Sequence, residues 1–465
     1  MDDSSRKNYC RALWVSAFAQ RSPKIYLGFA VGFMLLGYAF LLAFPFFIIE
    51  GIIEGTAIFT GEVKTVGSFP QWLVASAWGA GIVFCVFMTR QVFQLHFSRI
   101  SGLSISEEMA PALYALVSKV RNSTAGPDIK QIVITDQYEL TIEETPRTGY
   151  PMWTSSTLVI GLPMLQTLSE QQFYGELVHR FSQYASGKFH PSHWLYRTQR
   201  LWTRYLEVLN KRHRLGDAPL RWFFSFYAPF FETLTLPARR MDELAGDSAA
   251  LDWMHDREYF ESAKSSIVAD IFLDAYFWRR IYQSALANPS AKLKPFTELD
   301  AMSGHLKSKD FRRKWLQGAF ASNQDFSRSV PSLRIRMDNM GQSQLRGVPI
   351  VEKTAAEAYL GDVRHKIVSI LDALWRSTTL SSWKVNNKHR HADFESVKKL
   401  SRKSHQQMLT AEEVWSYARL AKQLRGDSLR KSIVKLIKRN LQNFTIAAVC
   451  PSLFHKEGKS AHNDS

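Results

Sequence analysis

Residues 175–187 read "GELVHRFSQYASG", and the reading of this stretch decides the fold. Just upstream, Ser169 and Gln172 stand in the pattern of a capping box, which predicts a helix running through the stretch to about Ser186. Residues four apart on a helix share a face, so His179 and Gln183 are expected side by side, with Arg180 next to the histidine. In a His-Glu-x-x-His helix that spacing lets two imidazoles reach one tetrahedral ion, and the glutamate takes a proton from the bound water. Here the frame is present, but arginine replaces the base and glutamine the second imidazole.

Working outward, "IKQIVITD" (129–136) reads as a short buried strand ending at Asp136, and "STLVIG" (156–161) as a second strand closed by Gly161. Between them "EETPRTGYPMWTSS" (143–156), with its Pro and Gly residues, is expected to be a loop. Residues 104–123 read as an amphipathic helix with Met109, Leu113, Leu116 and Val120 on one face. Residues 194–254 are rich in Trp, Phe and Tyr and are punctuated by Gly216 and Pro219. They predict helices with large aromatic faces, packed inside or partly rested on a bilayer surface, with core packing the default.

From Gln342 the character changes. Thr354 and Glu357 form a second capping box, and residues 405–444 read as a helical hairpin of tetratricopeptide type. Thr410 and Glu413 cap its first helix, Val414, Ala418, Ala421 and Leu424 make its stripe, and Gly426 stops it; Leu429, Ile433 and Leu436 mark the second.

The 465 residues carry a formal net charge of +17, so an extended partner surface is expected to be anionic. Cys10, Cys85 and Cys450 lie too far apart for a disulfide framework or a zinc ribbon, and Cys85 reads as a small buried hydrophobe. Residues 25–49 hold no charge and are long enough, as a helix, to cross the hydrocarbon core; residues 72–88 form a second, shorter run. Arg6, Lys7, Arg11, Arg21 and Lys24 precede the first run, and Arg90 and Arg99 follow the second. The loop between the runs has only Lys64 as a strong base, so the positive-inside rule predicts both ends in the cytoplasm.

"RRMDELAGDSAALDW" (239–253) contains Glu243-Leu-Ala-Gly-Asp247, close to an E-x-x-A-D pattern. Taken with "APALYALVSKV", "TLVIGLPMLQTLSEQQF", "LVHRFSQYASG" and "VPSLRIRM" in that order, the chain resembles the integral-membrane zinc metallopeptidases that include HtpX and the CAAX prenyl endopeptidases. The resemblance is strongest to bacterial members with two N-terminal membrane helices and a cytosolic peptidase domain, which implies the bacterial inner membrane. It implies an α+β fold, mainly α: a basic N-terminus (1–24), two transmembrane helices (25–95), a zincin-like domain with a small sheet and an active-site helix (96–341), a basic helical region (342–453) and a disordered tail (454–465). It maps His179 onto the first zinc histidine, Glu243 onto the zinc glutamate and Asp247 onto the motif aspartate. It also implies a cleft between the motif helix and an edge strand holding Thr157, Leu158, Val159 and Ile160, where relatives bind substrate as an added strand.

The departures bear on function. Besides Arg180 and Gln183, Glu139-Leu140 replaces an Asn-Ala pair and Val330 stands where a histidine precedes "PSL". A glutamine amide is a poor zinc ligand. Arginine cannot act as a base, and at 4 Å it repels a divalent ion by roughly twice the 4 kcal/mol of a unit pair at an effective dielectric of 20. The guanidinium could instead pair with Glu243 and stand in for the metal's charge. Nearby His190 and His193 read as surface or structural histidines before replacement ligands, and Glu176 as a helix-face residue before a surrogate base.

The expectation is a membrane-anchored pseudopeptidase, without a cofactor, that holds a polypeptide or a membrane-protein segment. The alternative is an active zinc-dependent endopeptidase with a rearranged site. The basic run 384–403 reads as a solvated helix face, then as a contact for anionic lipid; nucleic acid comes last, because no aromatics interleave the charges closely.

Overall fold

The computed structural model describes residues 3–59, 71–97, 100–146, 154–186, 191–212, 214–287, 293–302, 309–321, 329–342 and 351–378, with positions 148, 150, 399–400 and 402–403. The described fold is mainly helical, with one small mixed sheet. In chain order the elements are α1 (Asp3–Arg21), α2 (Pro23–Phe59), α3 (Gln71–Phe93), β1 (Leu103–Ile105), α4 (Pro111–Thr124), β2 (Ile129–Thr135), β3 (Leu140–Pro146), β4 (Thr154–Gly161) and α5 (Leu162–Thr167). There follow α6 (Glu170–Ser186), α7 (Pro191–Arg212), α8 (Ala218–Leu251) and α9 (Asp256–Phe272), which passes through a π-helical turn into α10 (Trp278–Ala287). The last are α11 (Pro295–Met302), α12 (Lys309–Ala321), α13 (Leu333–Asn339), α14 (Ala355–Tyr359) and a helix over 363–378.

The chain forms two compact units. The first comprises Met1–Ile281 and Lys294–Ala373; it includes α14, whose Ala355 N–H donates to the Leu168 carbonyl. Packing therefore does not change at 342, where composition does. The second comprises Tyr282–Leu293 and Leu374–Ser465. The expected hairpin at 410–444 and most of the 384–403 basic run lie outside the described residues.

In the sheet the strand order is β1-β2-β4-β3; β2 and β4 are parallel and the outer pairs antiparallel. This corrects the edge-strand expectation, because Thr157, Leu158, Val159 and Ile160 lie on β4 with a partner on each side. The edge on that side is β3, whose last four residues, from Glu143, were expected to begin a loop. Leu140-Thr141-Ile142-Glu143 alternates apolar and polar as a strand should, and Pro146, at its end, needs no ladder donor on an outer strand. The expected helix at 104–123 starts later: Ser104 and Ile105 belong to β1, and Pro111 at the first turn sets the start of α4.

Both capping boxes form. The Ser169 N–H donates to Gln172 Oε1 at 3.0 Å and the Gln172 N–H to Ser169 Oγ at 3.3 Å; Thr354 and Glu357 pair likewise at the start of α14. So anchored, α6 lies between α8 and α9 with α4 and β3 also against it. Two glycines permit the close approach. A Cβ on Gly175 would meet the Ser262 side chain of α9 at 2.5 Å, and one on Gly246 of α8 would meet Gln183 Cβ of α6 at 2.9 Å.

Two helices are long and apolar enough to cross a membrane: Pro23–Ala57, with mean hydropathy 2.2, and Val74–Phe93, with 1.2. Only 22% and 11% of their most apolar windows are buried. The inner half of α2 is covered by the aromatic helices. Phe33 stacks on Tyr227 with centroids 4.9 Å apart, Phe40 on Phe223 at 3.8 Å, and Trp202 packs edge-on to Tyr38 at 5.0 Å. Among the 194–254 aromatics Trp202, Tyr205, Phe224, Tyr227 and Phe231 are thus core, whereas Trp194, Trp253 and the trio Trp222, Phe226 and Phe230, four residues apart on α8, stay exposed. The N-terminal segment is also built in: α1 packs on α8, and Ser16 Oγ accepts from Arg240 Nη2 at 2.6 Å.

Tyr26 ties α2 to α8. Its hydroxyl donates to the Leu234 carbonyl at 2.7 Å and accepts from the Ala238 N–H at 3.1 Å, the two groups that an unbroken helix joins to each other. This insertion sits at Pro237, one of two prolines inside α8, where the ladder already lacks a donor. Tyr26→Phe removes both bonds, and the expected loss of stability is about 1–2 kcal/mol, read as a lower thermal midpoint of the detergent-solubilised chain.

Candidate functional site

The face of α6 that carries the opening motif meets the face of α8 that carries the acidic motif. His179 and Gln183, one turn apart, look across at Asp242, Glu243 and Asp247. Arg180 Nη1 donates to Glu243 Oε1 at 2.7 Å and to Gln183 Oε1 at 2.7 Å. Gln183 Nε2 donates to Asp242 Oδ2 at 2.8 Å, so both ends of its amide are engaged. His179 Nε2 lies 3.2 Å from Glu243 Oε2.

Below this layer is a second one that the sequence did not announce. Tyr259 of α9 donates its hydroxyl proton to Asp247 Oδ1 at 2.6 Å, and the Tyr259 hydroxyl oxygen lies 2.6 Å from His179 Nδ1. Arg336 of α13 clasps Asp247 with both arms, Nε to Oδ2 at 2.9 Å and Nη2 to Oδ1 at 2.5 Å. Burial and the Asp247 charge push the Tyr259 phenol well above its ordinary range, so it is the donor to Asp247. It can then only accept from His179, whose Nδ1 must carry a proton while Nε2 donates to Glu243.

The titration directions agree with this assignment. Burial alone would lower the His179 pKa, but bonds to Asp247 and Glu243 and the Asp247 charge raise it. Burial would raise the Glu243 carboxyl; Arg180 and His179 hold it well below the usual range. Burial is likewise outweighed at Asp247, which Arg336 and His179 hold low. Arg180 is kept protonated by Glu243 against its own desolvation. Glu176, one turn before His179, is pushed up by burial, and its Oε1 has no hydrogen-bond partner among the described residues.

These residues do not fit a catalytic zinc. His179 presents N–H groups where lone pairs are needed, Arg180 occupies the Glu243 carboxylate, and the Gln183 oxygen is taken up by Arg180. Among the described residues no three His, Cys, Asp or Glu side chains gather as a metal site requires. His193, buried on α7, has its Nδ1 3.5 Å from Asp242 and its ring against Tyr184, while His190 lies outside the described residues.

A cleft of about 470 Å³ opens directly over Arg180, Gln183 and Glu243. Its strand wall is β3, through Thr141 and Glu143, and not the interior strand expected for that place; Val330 lies at its margin. From α7, Arg200 and Arg204 both pair with the Glu143 carboxylate, and Arg197 pairs with Glu144. Glu139, in the departed Asn-Ala position, accepts from Thr135 Oγ1 at the β2 end. Of the residues missed, Arg336 had a faint signal, an arginine set among the apolar residues of "VPSLRIRM". Tyr259 had none.

Arg180→Ala leaves Glu243 buried without its main counter-charge, and a destabilisation of roughly 3 kcal/mol is expected in chemical unfolding. The raised His179 pKa fixes a pH dependence. The stabilisation from its charged form is full below its ordinary value near 6.5 and is lost as pH rises through the higher folded-state value. The thermal-midpoint gap between the wild type and His179→Gln should therefore narrow on the alkaline side.

Comparison with protein-family models, with curated proteins and with solved structures returned no match.

Proposed function

We propose that this chain is a membrane-anchored pseudopeptidase. It has the frame of the integral-membrane zinc metallopeptidases, and it holds a polypeptide or membrane-protein segment in the cleft without hydrolysing it. The observation that carries this reading is the 2.7 Å bond from Arg180 to the Glu243 carboxylate, with Gln183 closing the same guanidinium. A fixed cation on α6 does for Glu243 what a divalent ion does in the peptidases that the sequence resembles. The general-base position is filled by a group that stays protonated at any working pH.

Retention of the cleft supports binding without turnover. It keeps a polar floor and an edge strand along one wall, the arrangement against which an extended peptide can be laid. Anchoring rests on α2 and α3, whose apolar surfaces are largely uncovered, and the exposed Trp222, Phe226 and Phe230 stripe on α8 extends that surface. The flanking basic residues put the N-terminus and the main domain on the cytoplasmic side, with the bacterial inner membrane as the proposed location.

The test is metal content and casein turnover of the purified full chain, beside a double variant carrying Arg180→Glu and Gln183→His. The wild type is expected to hold far less than one zinc per molecule and to leave casein intact. The double variant, with both lost groups restored, is expected to take up zinc. Stoichiometric zinc in the wild type, with cleavage that His179→Ala abolishes, would instead establish an active endopeptidase.

A further inference from the structure

Arg239 stands apart from the other arginines of the cleft. It lies one turn before Glu243 on α8, with its guanidinium over the Tyr196 ring, 5.2 Å from the centroid. Arg200 lies over the same ring at 5.7 Å and donates to the Tyr196 hydroxyl at 2.9 Å. Two cations therefore share one aromatic side chain.

Their counter-charges are not shared equally. Arg200 has Glu143, though that carboxylate also serves Arg204; Arg180 has Glu243; Gln183 holds Asp242. Arg239 makes no hydrogen bond or ion pair among the described residues, and its Nε is buried without an acceptor. Glu207 and Glu232 also line the cleft, but both are exposed and neither forms an ion pair among the described residues. Burial, joined by the Arg200 charge, pulls the Arg239 pKa down, whereas Arg180 and Arg336 are driven up by their carboxylates. A half-buried cation left in this condition is stabilised by any anion that reaches it.

We propose that Arg239, with Arg200 across the Tyr196 ring, is a carboxylate-binding position that seats an Asp or Glu side chain of a polypeptide lying in the cleft. This rests on the polypeptide-binding reading above. A guanidinium fork matches a carboxylate in two parallel bonds, and stacking on Tyr196 fixes the fork before the ligand arrives, so little ordering remains to be done on binding. The position faces the β3 wall of the same cleft, where Thr141 and Glu143 flank the path of an extended chain.

The experiment uses the full detergent-solubilised chain and two short fluorescein-labelled peptides, identical except for a central Glu-Glu in one and Gln-Gln in the other. Anisotropy titration is expected to give about tenfold tighter binding of the Glu peptide, the ratio of one charge-assisted bond. Arg239→Gln is expected to abolish that preference, leaving Gln-peptide binding intact. Its thermal midpoint is expected not to fall, because an uncompensated cation has been removed; a purely structural role lowers it. Arg239→Lys, which keeps the charge and loses the fork, serves if the first variant does not fold, and it should weaken only the Glu peptide. Arg364→Gln, removing a remote pair with Glu357, is the control.

Equal binding of the two peptides overturns the carboxylate position and leaves polypeptide binding standing. Binding of neither peptide overturns both. Arg239-dependent binding of phosphatidylglycerol vesicles, with no binding of either peptide, assigns the position to a lipid phosphate and also overturns the proposal.

Discussion

The guanidinium of Arg180 laid on the Glu243 carboxylate is the constraint around which the α6–α8 interface is arranged. Two acids of α8, Glu243 and Asp247, are turned toward a helix packed tightly enough that Gly246 has no room for a methyl group. Neither acid could remain ionised there alone, because removing a carboxylate from water costs far more than one neutral hydrogen bond returns. The interface therefore supplies a cation to each: Arg180 above, Arg336 below, and a protonated His179 between them touching both. Tyr259 completes the lower layer by relaying His179 to Asp247 through one hydroxyl. The network is saturated by side chains, and its members all depend on α6 keeping its register against α8.

Much of this was legible. The capping boxes, the two apolar runs and the β2 and β4 strands follow from spacing and local chemistry, whereas the placing of His179, Arg180 and Gln183 opposite Glu243 came only with the resemblance to a known motif pair. What was not legible has identifiable physical causes. The strand β3 was hidden because Pro146 and the Gly and Pro residues after it give a loop composition, although Leu140 and Ile142 alternate with polar residues; hence β4 was mistaken for the sheet edge. Tyr259 and Arg336 reach the site from α9 and α13, far away in sequence, and nothing in their local patterns points toward Asp247. The change of character at Gln342 gave no sign that α14 docks through Thr354 and Ala355 on Ser169 and Leu168, at the start of α6.

The aromatic wealth of residues 194–254 resolves into two uses. Trp202, Tyr205, Phe223, Phe224, Tyr227 and Phe231 form a packed seam between α2, α7 and α8, in which centroid separations of 3.8–5.0 Å leave little freedom to slide. Trp222, Phe226 and Phe230 face outward from α8. The apolar helix α2 is therefore not a detachable tether; its inner half is part of the same packed body as the site.

The Tyr26 linkage gives that union a mechanical meaning. At 37 residues and about 1.5 Å per residue, α2 is a rod roughly 55 Å long. Because the hydroxyl of Tyr26 is wedged into α8 at its proline bend, leaning of α2 acts on α8 like a lever arm, with its fulcrum about two turns from Glu243. The tilt of α2 and the spacing of the two charged helix faces are thereby joined mechanically through one hydroxyl.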